Sequence, residues 1–185
     1  MSDVIDDIFE KFRVNGDALY DGGEAVTQTE HALQTAWFIE QDGGSDTLIA
    51  AAFLHDYGHV MGKGDADSIE RGVDGKHEET GARFLSRYFI PAVTEPGRLH
   101  VAAKRYLCAV DPDYFGTLSP VSVRSLELQG GPFNEDDVAE FEANPFYKDA
   151  VRLRQCDEKG KVPDLKTHDL DFYRLLLEAG LKVTA

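Results

Sequence analysis

The stretch that most constrains this 185-residue chain is Leu48-Ile-Ala-Ala-Ala-Phe-Leu54, an unbroken apolar run leading straight into His55-Asp56. A run of this length could form a buried strand, but its three alanines and the helical patterns on either side predict a helix. A helix with no polar face belongs at the centre of a fold, and the other elements must surround it. It also carries a carboxylate and an imidazole into the interior, where an unpaired charged carboxylate costs several kcal/mol. A bound metal cation removes that cost. So does an Arg or Lys partner beside a hydrogen-bonded histidine.

The remaining periodicity is helical nearly throughout. Val4, Ile5, Ile8, Phe9 and Phe12 mark an amphipathic first helix opening behind Ser2, a good N-cap. A second helix is predicted over residues 27–42, stopped by Gly43-Gly44, and Ser45 caps the apolar third. Residues 61–75 are Gly- and Asp-rich and read as a mobile loop. Further helices are predicted over 76–87, 97–110, 120–129, 135–142, 147–157 and 169–179, with Ile90-Pro91, Glu95-Pro96, Asp111-Pro112 and Gln129-Gly-Gly-Pro132 as the breaks between them. No alternating β pattern competes, and no repeat or linker divides the chain. The expectation is one all-α domain over residues 1–185, a helical bundle.

Composition excludes several functions. A net charge of −15 disfavours a general nucleic-acid binder, which needs a basic footprint. No apolar run approaches the roughly 18 residues of a membrane span, and the acidic start Met1-Ser-Asp-Val-Ile-Asp-Asp does not read as a signal peptide. Cys108 and Cys156 form neither a disulfide framework nor a C-x-x-C spacing. A cytoplasmic protein is expected, with no nucleic-acid or membrane partner.

The histidines are unevenly placed: of six, only His168 follows residue 100. Besides His55-Asp56, Glu30-His31 lies on the preceding helix, His77-Glu78 opens the next, His100 sits on the one after, and Asp157 comes near the end of a distant helix. Four imidazoles suit iron, zinc, nickel or cobalt better than magnesium, which prefers oxygen. A carboxylate, unlike histidine, can bridge two metals. His59 stands one turn from His55 and shares its face. His168 reads as a surface residue.

The order His31, His55-Asp56, His77, His100, Asp157 resembles the HD-domain superfamily, all-helical bundles that hold one or two metals. The resemblance assigns His31, His55, Asp56 and Asp157 to one metal and Asp56, His77 and His100 to the other, with Asp56 bridging. The strings Gln28-Thr-Glu-His-Ala-Leu-Gln34, Leu54-His-Asp-Tyr-Gly-His59, Leu99-His-Val-Ala-Ala-Lys-Arg-Tyr-Leu107, Ser125-Leu-Glu-Leu-Gln-Gly-Gly-Pro132 and Asp157-Glu-Lys-Gly-Lys161 are similar to the phosphonate-degrading HD-domain oxygenases. That resemblance implies two iron ions, Fe(II)/Fe(III), which use O2 to split the carbon–phosphorus bond of a small 1-hydroxyalkylphosphonate. The expected substrate is (R)-1-hydroxy-2-aminoethylphosphonate or its N-trimethyl analogue, giving phosphate and glycine or glycine betaine. The alternatives are a metal-dependent phosphohydrolase of a small phosphate ester, and a non-catalytic ligand sensor.

An anion pocket is also legible without the resemblance. Residues 97–110 carry Arg98, Lys104 and Arg105 and no acid until Asp111, and Lys104 falls one turn after His100 on the face towards the metals. Ser119-Pro120 is an N-cap followed by Pro at the first helical position, which leaves N–H groups for an anion, with Ser122 nearby. Arg154 lies one turn before Asp157. Solvated or salt-bridged side chains are the plainer account of Arg98 and Arg105. The resemblance implies Lys104, Ser122, Ser125, Gln129 and Arg154 as phosphonate ligands. It also implies a tyrosine that ligates iron at rest and a glutamate that meets the substrate's amino group, here Tyr20 and Glu24, one residue further apart than in the family pattern. Oligomeric state is not legible.

Overall fold

The computed structural model describes residues 3–20, 24–62 and 75–183. Its α-helices are α1 (Val4–Asn15), α2 (Gln28–Gln41), α3 (Asp46–Leu54), α4 (Tyr57–Met61), α5 (His77–Leu85), α6 (Pro91–Arg98), α7 (His100–Val110), α8 (Pro120–Leu128), α9 (Glu135–Glu142), α10 (Tyr147–Lys159) and α11 (Arg174–Ala179). Two 3-10 turns, Tyr114–Thr117 and Leu170–Tyr173, join them. No β-strand occurs among the described residues, only isolated bridges between Leu19 and Thr27 and between Phe89 and Leu181. The architecture is the expected all-α HD-type bundle.

Helix α3 is the central element. Every residue from Leu48 to Leu54 is buried, and α2, α6, α10 and α11 pack around it. Ser45 caps it through Leu48 N–H, as its sequence predicts. Ile5, Ile8, Phe9 and Phe12 of α1 close the same core, with the Phe12 and Phe53 rings 4.8 Å apart. Helix α1 is capped by Asp3, whose side chain accepts from Ile5 N–H, rather than by Ser2, which lies outside the described residues. Most of the 61–75 segment, residues 63–74, also lies outside them.

The prolines overturn a further expectation. Ile90-Pro91 and Glu95-Pro96 were read as breaks, yet Pro91 is the first residue of α6 and Pro96 lies inside it. At the start of a helix the missing N–H is not needed and proline's fixed φ suits the first turn, so Pro91 starts a helix instead of stopping one. The helix predicted over 97–110 therefore divides at Leu99, and His100 opens α7.

Two glycines let the site assemble. A Cβ on Gly97 would stand 3.1 Å from His55 Cα, and one on Gly58 would overlap the His77 carbonyl. Their hydrogens allow α6 and the start of α5 to close upon the ends of α3 and α4.

Candidate metal centre

Five elements deliver the predicted ligands to one buried place. His31 sits in the first turns of α2, whose start is fixed by a Thr27/Glu30 capping box. His55 and Asp56 lie between α3 and α4, His77 and His100 open α5 and α7, and Asp157 is near the end of α10. His31, His55, Asp56, His100 and Asp157 are all buried, and His77 nearly so.

Asp56 faces two groups, one with each oxygen. Its Oδ2 lies 3.2 Å from His55 Nε2 and 3.6 Å from His31 Nε2, while Oδ1 lies 3.2 Å from His77 Nε2 and 3.5 Å from His100 Nε2. Asp157 Oδ1 joins the first group at 3.3 Å from His31 Nε2. His59 stacks on His77 with ring centroids 3.9 Å apart and lies close enough to Asp56 and His77 to join the second.

The tautomers follow from the backbone. Nδ1 of His31, His55 and His100 lies 2.8, 2.7 and 2.6 Å from the carbonyl oxygens of Gly160, Ala52 and Gly97 respectively. A carbonyl only accepts, so each Nδ1 carries its proton and each ring, when neutral, turns a lone pair on Nε2 inwards. Yet His31 and His55 hold their Nε2 atoms 3.2 Å apart, and His77 and His100 hold theirs 3.3 Å apart. Asp56 Oδ1 and Oδ2 and Asp157 Oδ1 are buried without a hydrogen-bond donor. Converging lone pairs and orphaned carboxylate oxygens are what a cation satisfies, and histidines anchored through Nδ1 to carbonyls are how proteins orient such ligands. The donor set fits a transition metal.

Without a cation the carboxylates and rings share protons: burial lowers His55, but Asp56 beside it outweighs burial and raises its pKa. Burial opposes ionisation of Asp56, but the His55 and His77 imidazoles outweigh it and hold the carboxyl well below its usual range. Burial likewise opposes ionisation of Asp157, and Arg154 and His31 hold it low. Burial pushes His100 down to about 3, so its ring stays neutral. Burial and the neighbouring His77 push His59 down as well.

The predicted anion residues gather beside Asp157. Lys104 Nζ, buried, donates to Ser125 Oγ at 2.6 Å, and burial followed by repulsion from Arg154 pushes its pKa down to about 7. Arg154 is buried; its Nε donates to the Tyr114 hydroxyl at 2.9 Å, and its remaining nitrogens bond Asp157 and Glu158. The Arg partner considered for Asp56 thus belongs to Asp157. The start of α8 differs from its sequence reading. Ser119 N–H donates to Glu158 Oε1 at 3.0 Å and the Ser122 hydroxyl to Glu158 Oε2 at 3.0 Å, so this helix start already holds the chain's own carboxylate. Gln129 lines a groove of about 320 Å³ with Arg105 and with Glu78, which adjoins His77.

Tyr20 stacks face to face on His31, with centroids 3.8 Å apart. Backbone bonds from Tyr20 to Val26 and from Gln28 to Ala18 pin the base of the segment that carries Glu24. Gly22 and Gly23 lie outside the described residues. Arg98 is paired with Glu95 and Glu79, and Arg105 reaches Gly131 O and covers Phe133, the salt-bridged or packed settings expected of them. His168 is on the surface against Glu40. Sequence reasoning missed Tyr114, Glu158 and Lys161. The i, i+4 spacing of Arg154 and Glu158 was the available signal for the second.

Fold and donor set together define a metal-binding HD-type helical bundle. No family model matches the chain. It is 46% identical over 176 residues to the hydroxymethylphosphonate dioxygenase of Gimesia maris, covering 95% of this chain and 87% of that protein. It is 47% identical over 147 residues to the [1-hydroxy-2-(trimethylamino)ethyl]phosphonate dioxygenase (glycine-betaine-forming) of Leisingera caerulea, covering 80% of this chain and 75% of that one. The chain belongs to the phosphonate dioxygenase family. It is an oxygenase, not the phosphate-ester hydrolase that the same ligands would also allow. None of its described helices is long and apolar enough to cross a membrane.

Proposed function

We propose that this enzyme uses two iron ions to split the C–P bond of a small 1-hydroxyalkylphosphonate. The observation that carries this is the division of Asp56 between two histidine pairs, in a chain whose relatives are named for oxygenating hydroxymethyl- and trimethylamino-hydroxyethyl-phosphonates. His31, His55, Asp56 and Asp157 would hold one iron. Asp56, His77 and His100 would hold the other. The candidate substrates share the 1-hydroxyphosphonate core and differ at C2, among them (R)-1-hydroxy-2-aminoethylphosphonate and its N-trimethyl analogue. The balance is R–CH(OH)–PO3(2−) + O2 → R–COO(−) + HPO4(2−) + H(+).

Iron, when bound, supplies the oxygen activation and the breaking of the C1–H bond. The protein's share is binding and orientation. Lys104 and Arg154 take the phosphonate charge through charge-assisted bonds, with Ser122, Ser125 and Gln129 as neutral partners. His59, kept neutral by burial, faces the substrate beside His77. Glu24 meets the substrate's ammonium, and Tyr20, stacked on His31, closes that side of the centre and ligates iron at rest.

Phosphate release from hydroxymethylphosphonate, 2-amino-1-hydroxyethylphosphonate and its N-trimethyl analogue tests this reading with iron, zinc and nickel in turn. Release with iron in air, and none under argon, is the expected result. Equal release under argon contradicts it.

A further inference from the structure

Lys161 has no place in the functional account above, yet it stands among the site's charges. Its Nζ lies 2.9 Å from Ser122 Oγ, 3.1 Å from Glu158 Oε1 and 3.8 Å from Glu24 Oε1, and 5.7 Å from the centre of the Tyr20 ring. The side chain is only 10% exposed. It follows Gly160, whose carbonyl orients His31, so its backbone is anchored to the centre. Lys161 therefore joins the anion-binding end, at Ser122, to the segment that carries Glu24.

The charges around it are unequally shared. Glu158 has two cations, Arg154 and Lys161. Glu24 has an ion pair with Lys161, and its Oε1 is buried without a hydrogen-bond donor. A buried carboxylate beside one cation is electrically satisfied, and a second cation arriving there must displace the first or be repelled by it. An uncharged group meets no such penalty. Ser122 and Glu158 keep Lys161 held on the other side, so displacing it strains existing bonds.

We propose that Lys161 is a specificity-determining residue, whose ammonium occupies Glu24 in place of a substrate cation and so sets the selectivity between substrates that carry a cationic group at C2 and those that do not. This rests on the reading that Glu24 faces the substrate's head group. The same lysine also makes Glu24 a weaker attractor than an isolated carboxylate, which lets one site serve substrates of both kinds.

The test is equilibrium binding under argon, where no turnover occurs, of hydroxymethylphosphonate and of 1-hydroxy-2-(trimethylamino)ethylphosphonate to the iron-loaded enzyme. Wild type, Lys161→Met, Lys161→Arg and Glu24→Gln are compared by calorimetry. In Lys161→Met the ratio of affinities should move by about tenfold or more towards the cationic ligand, the direction in which removing a like charge acts. Lys161→Arg should keep the wild-type ratio, and Glu24→Gln should move it the opposite way. An unchanged ratio in Lys161→Met, while Glu24→Gln does move it, overturns the proposal alone. Equal weakening of both ligands in Lys161→Met also overturns it, since the lysine then serves only the phosphonate. If Glu24→Gln leaves the ratio unchanged the underlying reading of Glu24 fails, and if wild type binds neither phosphonate the proposed function fails.

Discussion

At the scale of single residues, the buried Lys104 ammonium is a group whose charge changes near neutral pH. Its pKa is pushed to about 7, first by burial and then by Arg154. If it binds phosphonate as proposed, it meets the anion as a cation below that pH, and above it the neutral amine must take up a proton when the anion binds. Affinity of the free enzyme should therefore fall as pH rises through 7, by up to about tenfold per unit. Lys104→Met should weaken binding roughly tenfold at pH 6, since a hydrogen bond to a charged group is worth about 1.5–3 kcal/mol. At pH 8.5 the same variant should lose much less. Affinities measured at both pH values check this, and an equal loss at each would place the lysine's charge elsewhere. His77→Ala or His100→Ala should remove one metal while His31, His55 and Asp157 keep theirs, as read by metal analysis of the purified variants.

At the scale of elements, the centre depends on close approaches rather than on any one helix. Gly58 admits the His77 carbonyl, and Gly97 admits His55. Gly58→Ala places a methyl group against backbone that has nowhere to go, a strain of about 1–3 kcal/mol. The start of α5 should move away and His77 with it. Expected are a lower denaturation midpoint and loss of the metal on the His77 side, with the His31 side still loaded. Full metal occupancy in Gly58→Ala would show that α5 has slack. The elements also show what the sequence could reveal. Helix α3 was legible because its residues are apolar on all sides, and α9 lies where it was expected, with Asn134 and Asp137 capping its start. Helix α6 was not, because a proline reads as a break until its position in the first turn is known. The buried cluster of histidines and aspartates was legible because these residues are costly to bury, so their order along the chain carries chemistry. Glu158 and Lys161 were not, because charged residues near a helix end usually lie in solvent, and here both are held by Ser119 and Ser122 at the start of α8.

For the whole molecule, assembly and metal binding are one equilibrium. Asp56 and Asp157 bring orphaned oxygens into the interior, so the metal-free protein bears a desolvation cost that the metals offset. At metal concentrations 100-fold above the dissociation constant, each metal contributes about 2.7 kcal/mol, which for a chain of this size raises Tm by roughly 5–10 °C per metal bound. Chelation should lower Tm by that amount and iron should restore it, as followed by calorimetric scans; a Tm indifferent to chelation would mean the donor set holds no metal. The central claim is that this bundle spends dioxygen to separate carbon from phosphorus. Simultaneous measurement of oxygen consumed and phosphate released from hydroxymethylphosphonate and its 2-amino- and 2-trimethylamino-ethyl counterparts tests it most directly. One O2 taken up per phosphate released, with both stopped by removing iron, is the predicted result, and phosphate released without oxygen uptake would contradict it.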